Sequence, residues 1–189
     1  MTVINQVGTY EQIMNALLAY LQTQIPSGTF QTFRRGIVMW ADISKIQNGQ
    51  PLMRQPALYL YDGPMFGGGR TSYQQRSRSL PVIRTIHRTI VIYAQTPSAG
   101  QFPGGSIGGL AAQNTVTSQG SILHPLLDAV EIAMETPDDT SASGALTLGG
   151  LVSHCYIEGD GFLFSPDIDE NGQGMATLPV QIVIPHGSG

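Results

Sequence analysis

Apolar residues recur at helical spacing near the start of the chain. Between residues 9 and 25 they stand at every fourth position, at Ile13, Leu17, Leu21 and Ile25. This spacing predicts an amphipathic helix. Thr9 and Gln12 form a capping-box pattern before it, and Pro26 and Gly28 favour its end.

A second helix is predicted over residues 121 to 135. One face carries apolar residues at Ile122, Leu126, Val130 and Met134. Ser121 is a suitable N-cap, and Pro125 is expected in the first turn, where proline is tolerated.

Five other stretches have the composition of strands. They are residues 30–40, 56–62, 80–95, 146–158 and 173–185, rich in β-branched and aromatic residues. The sequence TIVIY at the end of the third is apolar almost throughout, which predicts cover on both faces. We therefore expect an α+β fold: one domain over residues 1–189, with a central, mostly antiparallel or mixed sheet flanked by the two helices.

Two long excursions show no periodicity. They cover residues 63–79 and 96–120, and loops of this length are commonly functional or disordered. Residues 42–55 and the stretch between the last two strands are also predicted to be loops, with Asn48-Gly49 as a turn.

Charge is divided unevenly along the chain. All nine basic residues precede position 89; with three acids they give the first 88 residues a charge of +6, and ten acids give the rest −10. Opposite charges suit subunits that meet copies of themselves. The alternative, in which the two signs mix in space after folding, stays open at this point.

The overall composition argues against several classes of protein. Only 12% of residues are charged, against roughly 25% in typical domains, which hints at surface buried against partners. The net charge of −4 argues against a general nucleic-acid binder. The lone Cys155 excludes an internal disulfide framework, and no signal peptide or membrane-spanning run is recognisable. We expect a soluble protein made in a reducing compartment.

Two motifs suggest chemistry without completing it. The sequence GGSIG matches a nucleophile elbow at Ser106, with Asp128 and His154 following in triad order. The preceding predicted strand, however, ends about ten residues earlier, so a flexible Gly/Ser loop is the better interpretation. The sequence DIDENG opens like a calcium loop but has Leu178 where a bidentate Glu belongs, which favours a hairpin turn.

The histidines show no metal-ligand spacing, and no cofactor motif is complete. His154 and Cys155 are adjacent on a predicted strand, so they should point to opposite faces. We expect a buried thiol, no catalytic residues, no metal and no cofactor.

Six blocks follow one another along the chain: TFRRGIVMWADI, QPALYLYD, TIVIYAQT, ILHPLLDAVEIAM, TLGGLVSHCYIEGD and QGMATLPVQIVIP. This succession, and its C-terminal blocks most specifically, resembles the tail terminator family of long-tailed bacteriophages, also called tail completion or head–tail joining proteins. The two long excursions are not covered.

The resemblance implies a ring, usually of six copies, at the head-proximal end of the tail. Such a ring stops polymerisation of the tube protein and offers a surface to neck or head-completion proteins. Double-stranded DNA passes through its lumen without sequence recognition, no membrane is involved, and assembly takes place in the bacterial cytoplasm. The alternatives are another tail or neck ring protein, such as a tube or head-completion protein, and a small hydrolase using Ser106.

Candidate interface residues follow from this expectation. The charged candidates are Arg34, Arg35, Arg84, Arg88, Asp128, Glu131, Asp138 and Asp139. The loop at 63–79 adds Arg70, Tyr73, Arg76 and Arg78, residue types favoured at binding hot spots. We expect that loop to dock on an adjacent ring, the tube or the neck. A loop facing DNA in the lumen and an exposed hairpin tip are the alternatives, and the charges could also be solvated surface groups.

Overall fold

The structure is a computed structural model that describes residues 9–36, 46–47, 50–51, 53–62, 72–74, 83–95, 119–138, 144–159, 162–164 and 173–185. Within these ranges, the helices are α1 (Tyr10–Gln24) and α2 (Gln119–Glu135). The strands are β1 (Thr32–Arg35), β2 (Ile46–Gln47), β3 (Gln50–Pro51), β4 (Ala57–Tyr61), β5 (Ser72–Gln74), β6 (Ile83–Gln95), β7 (His154–Ile157), β8 (Phe162–Phe164) and β9 (Gln173–Pro185).

The first helix begins at the predicted capping box. The Thr9 hydroxyl accepts from the Gln12 amide at 3.3 Å, and the Gln12 side chain accepts from the Thr9 amide at 2.8 Å. These bonds satisfy N–H groups that lack partners within the helix. After α1, Gly28 turns the chain with a φ of +90°, a conformation that favours glycine.

The second helix begins two residues earlier than predicted. It starts at Gln119, so Ser121 lies inside the helix and the N-cap expectation was wrong. Pro125 consequently lies beyond the first turn, where it removes one helix hydrogen bond. The extra residues are Gln119 and Gly120; Gln is a good helix former, whereas Gly costs about 1 kcal/mol relative to Ala inside a helix. No helix in the described ranges combines the length and apolarity needed to cross a membrane.

The predicted α+β fold with a central mixed sheet is confirmed. Five strands lie in the order β1-β4-β6-β9-β7, while β5 also pairs with β6 and β8 with β9. The β1–β4 pairing is parallel, and the other pairings in this sheet are antiparallel. Its centre is the β6–β9 ladder, which runs from the pair Ile83–Pro185 to the pair Gln95–Gln173.

Strand alternation gives the sheet two faces. The helix face packs against both α1 and α2, and its buried residues include Ile86, Ile90, Leu178, Val180 and Ile182. The second face holds a smaller cluster of Met53, Ala57, Tyr59, Val91 and Tyr93. All five residues from Thr89 to Tyr93 are buried, which confirms the two-sided cover predicted for TIVIY.

Several short elements differ from the prediction. Only His154–Ile157 of the stretch 146–158 is a strand, because Leu148, Gly149 and Gly150 adopt positive φ values of 53°, 69° and 85° and turn the chain. Strands β5 and β8, of three residues each, lie in stretches predicted to be loops. Such short strands are too brief to show a periodic pattern, and pairing with a long neighbour defines them.

Candidate interaction surfaces at the two edges of the sheet

A basic cleft of about 590 Å³ lies at the β1 edge of the sheet. The end of α1, the turn that follows it and β1 form its walls. Phe30 and Phe33 lie there with ring centroids 5.5 Å apart, and Arg34 and Arg54 also line it. The described residues that line the cleft include no acidic side chain.

The position of Arg34 follows from the alternation of β1. Its register partner is Tyr59, so Arg34 lies on the second face, whereas Arg35 pairs with Leu60 on the helix face. Arg34 is exposed. Burial raises the pKa of Tyr59, and the positive charge of Arg34 partly opposes this. The two neighbouring arginines thus have different surroundings.

Arg35 is paired within its own subunit. Its guanidinium donates to Glu11 at 2.5 Å, to Asp62 at 2.8 Å and to Asn15 at 3.1 Å. The hydrogen bond from Arg35 lowers the pKa of Glu11. The network joins α1, β1 and the residue after β4, so the charge of Arg35 is already compensated.

The other two arginine candidates lie on a central strand. Arg84 and Arg88 occupy the helix face of β6, and their guanidinium carbons lie 5.9 Å and 4.5 Å from the Tyr10 ring centroid. Arg88 is only 8% exposed, donates to the carbonyl of His87, and has its pKa lowered by burial. This arrangement is a cation–π contact between α1 and the sheet.

An acidic cleft of about 540 Å³ lies at the β7 edge. Glu131, Met134 and Glu135 of α2 form one wall, and His154 and Tyr156 of β7 form another. No lysine or arginine occurs in the sequence after residue 88, so no permanently charged cation from this part of the chain offsets the two carboxylates.

The exposed side of α2 continues this acidic surface. His124, Asp128, Ile132 and Glu135 are exposed and follow one another at helical spacing. Ile132 is 66% exposed; among the described residues it is the large hydrophobic side chain that lies exposed to solvent. We call Asp128, Glu131, Ile132 and Glu135 the α2 stripe.

Asp138 stabilises the turn beside this edge. Its carboxylate accepts from the Thr147 amide at 2.5 Å, the Thr147 hydroxyl at 3.1 Å and the Gly149 amide at 2.7 Å. Asp138 therefore stabilises its own subunit.

The remaining candidates from the sequence are not among the described residues that line the clefts. Five of them lie outside the described residues: Arg70, Arg76, Arg78, Asp139 and Ser106. Tyr73 lies in β5, where its register partner is Arg84.

Polar side chains also meet across β6, β9 and β7 on the second face. His87 Nδ1 lies 2.7 Å from a Glu158 carboxylate oxygen, and the Tyr156 hydroxyl donates to the Gln181 side chain. The sequence did not point to these contacts, because they depend on a pairing register between distant strands.

Cys155 and His154 lie on opposite faces, as predicted. Cys155 is 1% exposed, and burial raises the pKa of its thiol, while His154 is exposed. Among the described residues, no group of three or more His, Cys, Asp or Glu side chains could hold a metal ion.

Two charged members of the clefts were not predicted from the sequence. Arg54 lies three residues before β4, and Glu135 ends α2, and neither was a candidate. Comparison with known proteins finds no matching family model and no matching curated protein.

Proposed function

We propose that this protein is a structural virion protein that forms a ring, most simply of six copies, at the head-proximal end of a phage tail. The ring caps the tail tube, terminates its polymerisation and provides the surface to which the head or neck attaches. Double-stranded DNA passes through the lumen without sequence recognition.

The observation that carries this proposal is the placement of opposite charge on opposite edges. Strands β1 and β7 are the outermost members of the five-strand order, and the clefts beside them carry Arg34 and Arg54 on one side and Glu131 and Glu135 on the other. A ring built from head-to-tail contacts needs two different surfaces that match. The two oppositely charged edges would supply such a pair.

The sequence blocks supply the rest of the proposal. The blocks that resemble the tail terminators, from TFRRGIVMWADI to QGMATLPVQIVIP, include β1, β4, β7 and β9 and parts of β6 and α2, which build most of the five-strand order and part of each cleft. The resemblance supports the proposed role at the end of the tail, and the opposite charges of the two edges support the proposed head-to-tail contact.

A native mass measurement of the purified chain over a range of concentrations tests the proposal. We expect one closed assembly, in solution or on isolated tails, and no further growth. A tube protein would instead form long polymers. A protein that is monomeric both in solution and in virions, or one that forms open filaments, would contradict the proposal.

A further inference from the structure

We propose that the α2 stripe of one subunit docks into the β1-edge cleft of a second copy, with Ile132 at the centre of the contact. This inference rests on the proposed function insofar as both require self-assembly. It goes further by naming the two surfaces that meet.

The exposure of Ile132 among acidic side chains is the first observation that supports this contact. An isoleucine that is 66% exposed lies within one helical turn of Asp128, Glu131 and Glu135. An apolar side chain surrounded by carboxylates gains nothing from this position in an isolated subunit. A partner surface with an apolar centre and basic flanks would bury the side chain and pair the charges.

The β1-edge cleft has that composition. Its apolar surface comes mainly from Phe33, since Ile25 and Phe30 line the cleft but are largely buried, and Arg34 and Arg54 provide positive charge. Phe33 is partly exposed, and the cleft of about 590 Å³ is open to the exterior. The two surfaces are therefore complementary in both hydrophobicity and charge.

Strand addition between copies is the competing geometry, and the β7 edge disfavours it. The Cys155 amide donates to the Leu146 carbonyl at 2.9 Å, so the segment 144–147 already lies against β7. A neighbouring β1 strand would find this backbone donor occupied. Contact through the side chains of α2 does not require that hydrogen bond.

The charges also fix the orientation of the two copies. Contact between two α2 stripes would bring acidic groups together, and contact between two β1-edge clefts would bring arginines together. Both contacts are repulsive, whereas stripe against cleft is attractive. Each copy therefore uses its two edges on two different neighbours, as a closed ring requires.

Site-specific cross-linking tests the contact. Two full-length variants, Ile132→Cys and Gln31→Cys, are mixed under assembly conditions and treated with a short bifunctional thiol reagent. Gln31 is exposed and lines the cleft, so its replacement keeps Arg34 and Arg54. The native Cys155 is buried, which keeps its thiol protonated and shielded from the reagent.

We expect a cross-linked dimer in the mixture and only background in either variant alone. The matched control replaces Ile132→Cys with Ala19→Cys, which places the thiol on the exposed side of α1, and its mixture should give background. The particle mass is measured on the same samples. A ring without the cross-link overturns this contact and leaves the proposed function standing, whereas absence of any assembly, in solution and on tails, overturns both.

Discussion

At each edge of the sheet, one charged residue makes hydrogen bonds within the subunit and others line a cleft. The charges are positive at the β1 edge and negative at the β7 edge. At the β1 edge, Arg35 is held by Glu11, Asn15 and Asp62, while Arg34 lines the cleft. At the β7 edge, Asp138 holds the turn at Thr147 and Gly149, while Glu131 and Glu135 line the cleft.

The comparison shows that charge alone does not identify an interface residue. Arg34 and Arg35 are adjacent in sequence, yet strand alternation sends them to opposite faces. At each edge, one charged group stabilises the subunit and others of the same sign remain on the surface.

Removing buried side-chain volume between the two edges should lower the stability of the whole subunit. Ile90 is fully buried at the centre of the β6–β9 ladder, between the two edges. Ile90→Ala should lower the free energy of unfolding by about 2–5 kcal/mol, because it removes buried methyl groups and leaves a cavity. Urea denaturation measures the loss. Ile132→Ala is the matched control, since Ile132 is exposed, and an equal loss there would contradict the assigned core.

Asp138 and Asp128 should differ in their contribution to stability, because Asp138 is hydrogen-bonded within the subunit and Asp128 is exposed. Asp138→Ala removes the acceptor for two backbone amides and a hydroxyl, so we expect a loss of about 1–3 kcal/mol in unfolding free energy. Asp128 is exposed on α2, and Asp128→Ala should change stability by less than about 0.5 kcal/mol. Thermal denaturation of both variants decides the point; similar losses would mean that Asp138 is not bound as described.

Charge reversal at the β1 edge should weaken assembly. Arg34→Glu with Arg54→Glu places like charges opposite Glu131 and Glu135 of a neighbour. We expect the association constant to fall about tenfold, or ~1.4 kcal/mol, at low salt and less at high salt. Sedimentation at several salt concentrations measures this effect.

Reversal on the other edge should restore the pairing. Adding Glu131→Arg and Glu135→Arg to the same chain returns opposite charges to each contact, and assembly should recover. Ala19→Glu, on the exposed side of α1, serves as the charge control and should assemble normally. Failure of the combined variant to recover, while each reversal folds, would argue against the pairing of these two edges.

The smallest effect should come from the Arg35 network. Because Arg35 lowers the pKa of Glu11, this contact stabilises the fold above the ordinary pKa of a glutamate, and the stabilisation disappears as pH falls through the lowered value. In Arg35→Ala this part of the acid dependence should be absent, while Arg34→Ala should retain it. The free energy of unfolding is measured against pH for both variants. Identical pH profiles would contradict the structural role assigned to Arg35.

Local patterns predicted much of the fold. The capping box of α1, strands β4, β6 and β9 and the burial of Cys155 follow from residues close together in sequence. Alternation also predicts that Arg34 and Arg35 separate, but it does not say which faces the helices. That choice depends on the pairing of β1 with β4.

The clefts themselves were beyond local reasoning. The parallel β1–β4 pairing and the turn before β4 bring Arg54 beside Arg34, although the two lie in different segments. In the same way, Glu135 and His154 line one cleft only because α2 packs against β7. Such juxtapositions arise from the sheet register, which no short stretch of sequence contains.

The position of β9 between β6 and β7 has a consequence for the order of events during synthesis. β9 follows every other described strand in the chain, yet it pairs with both β6 and β7. While the ribosome is still making earlier residues, β7 has no sheet to join, and the central ladder must wait for contacts between distant segments. A nascent chain therefore completes its acidic edge only after residues 173–185 emerge, so an unfinished polypeptide lacks this edge of the sheet.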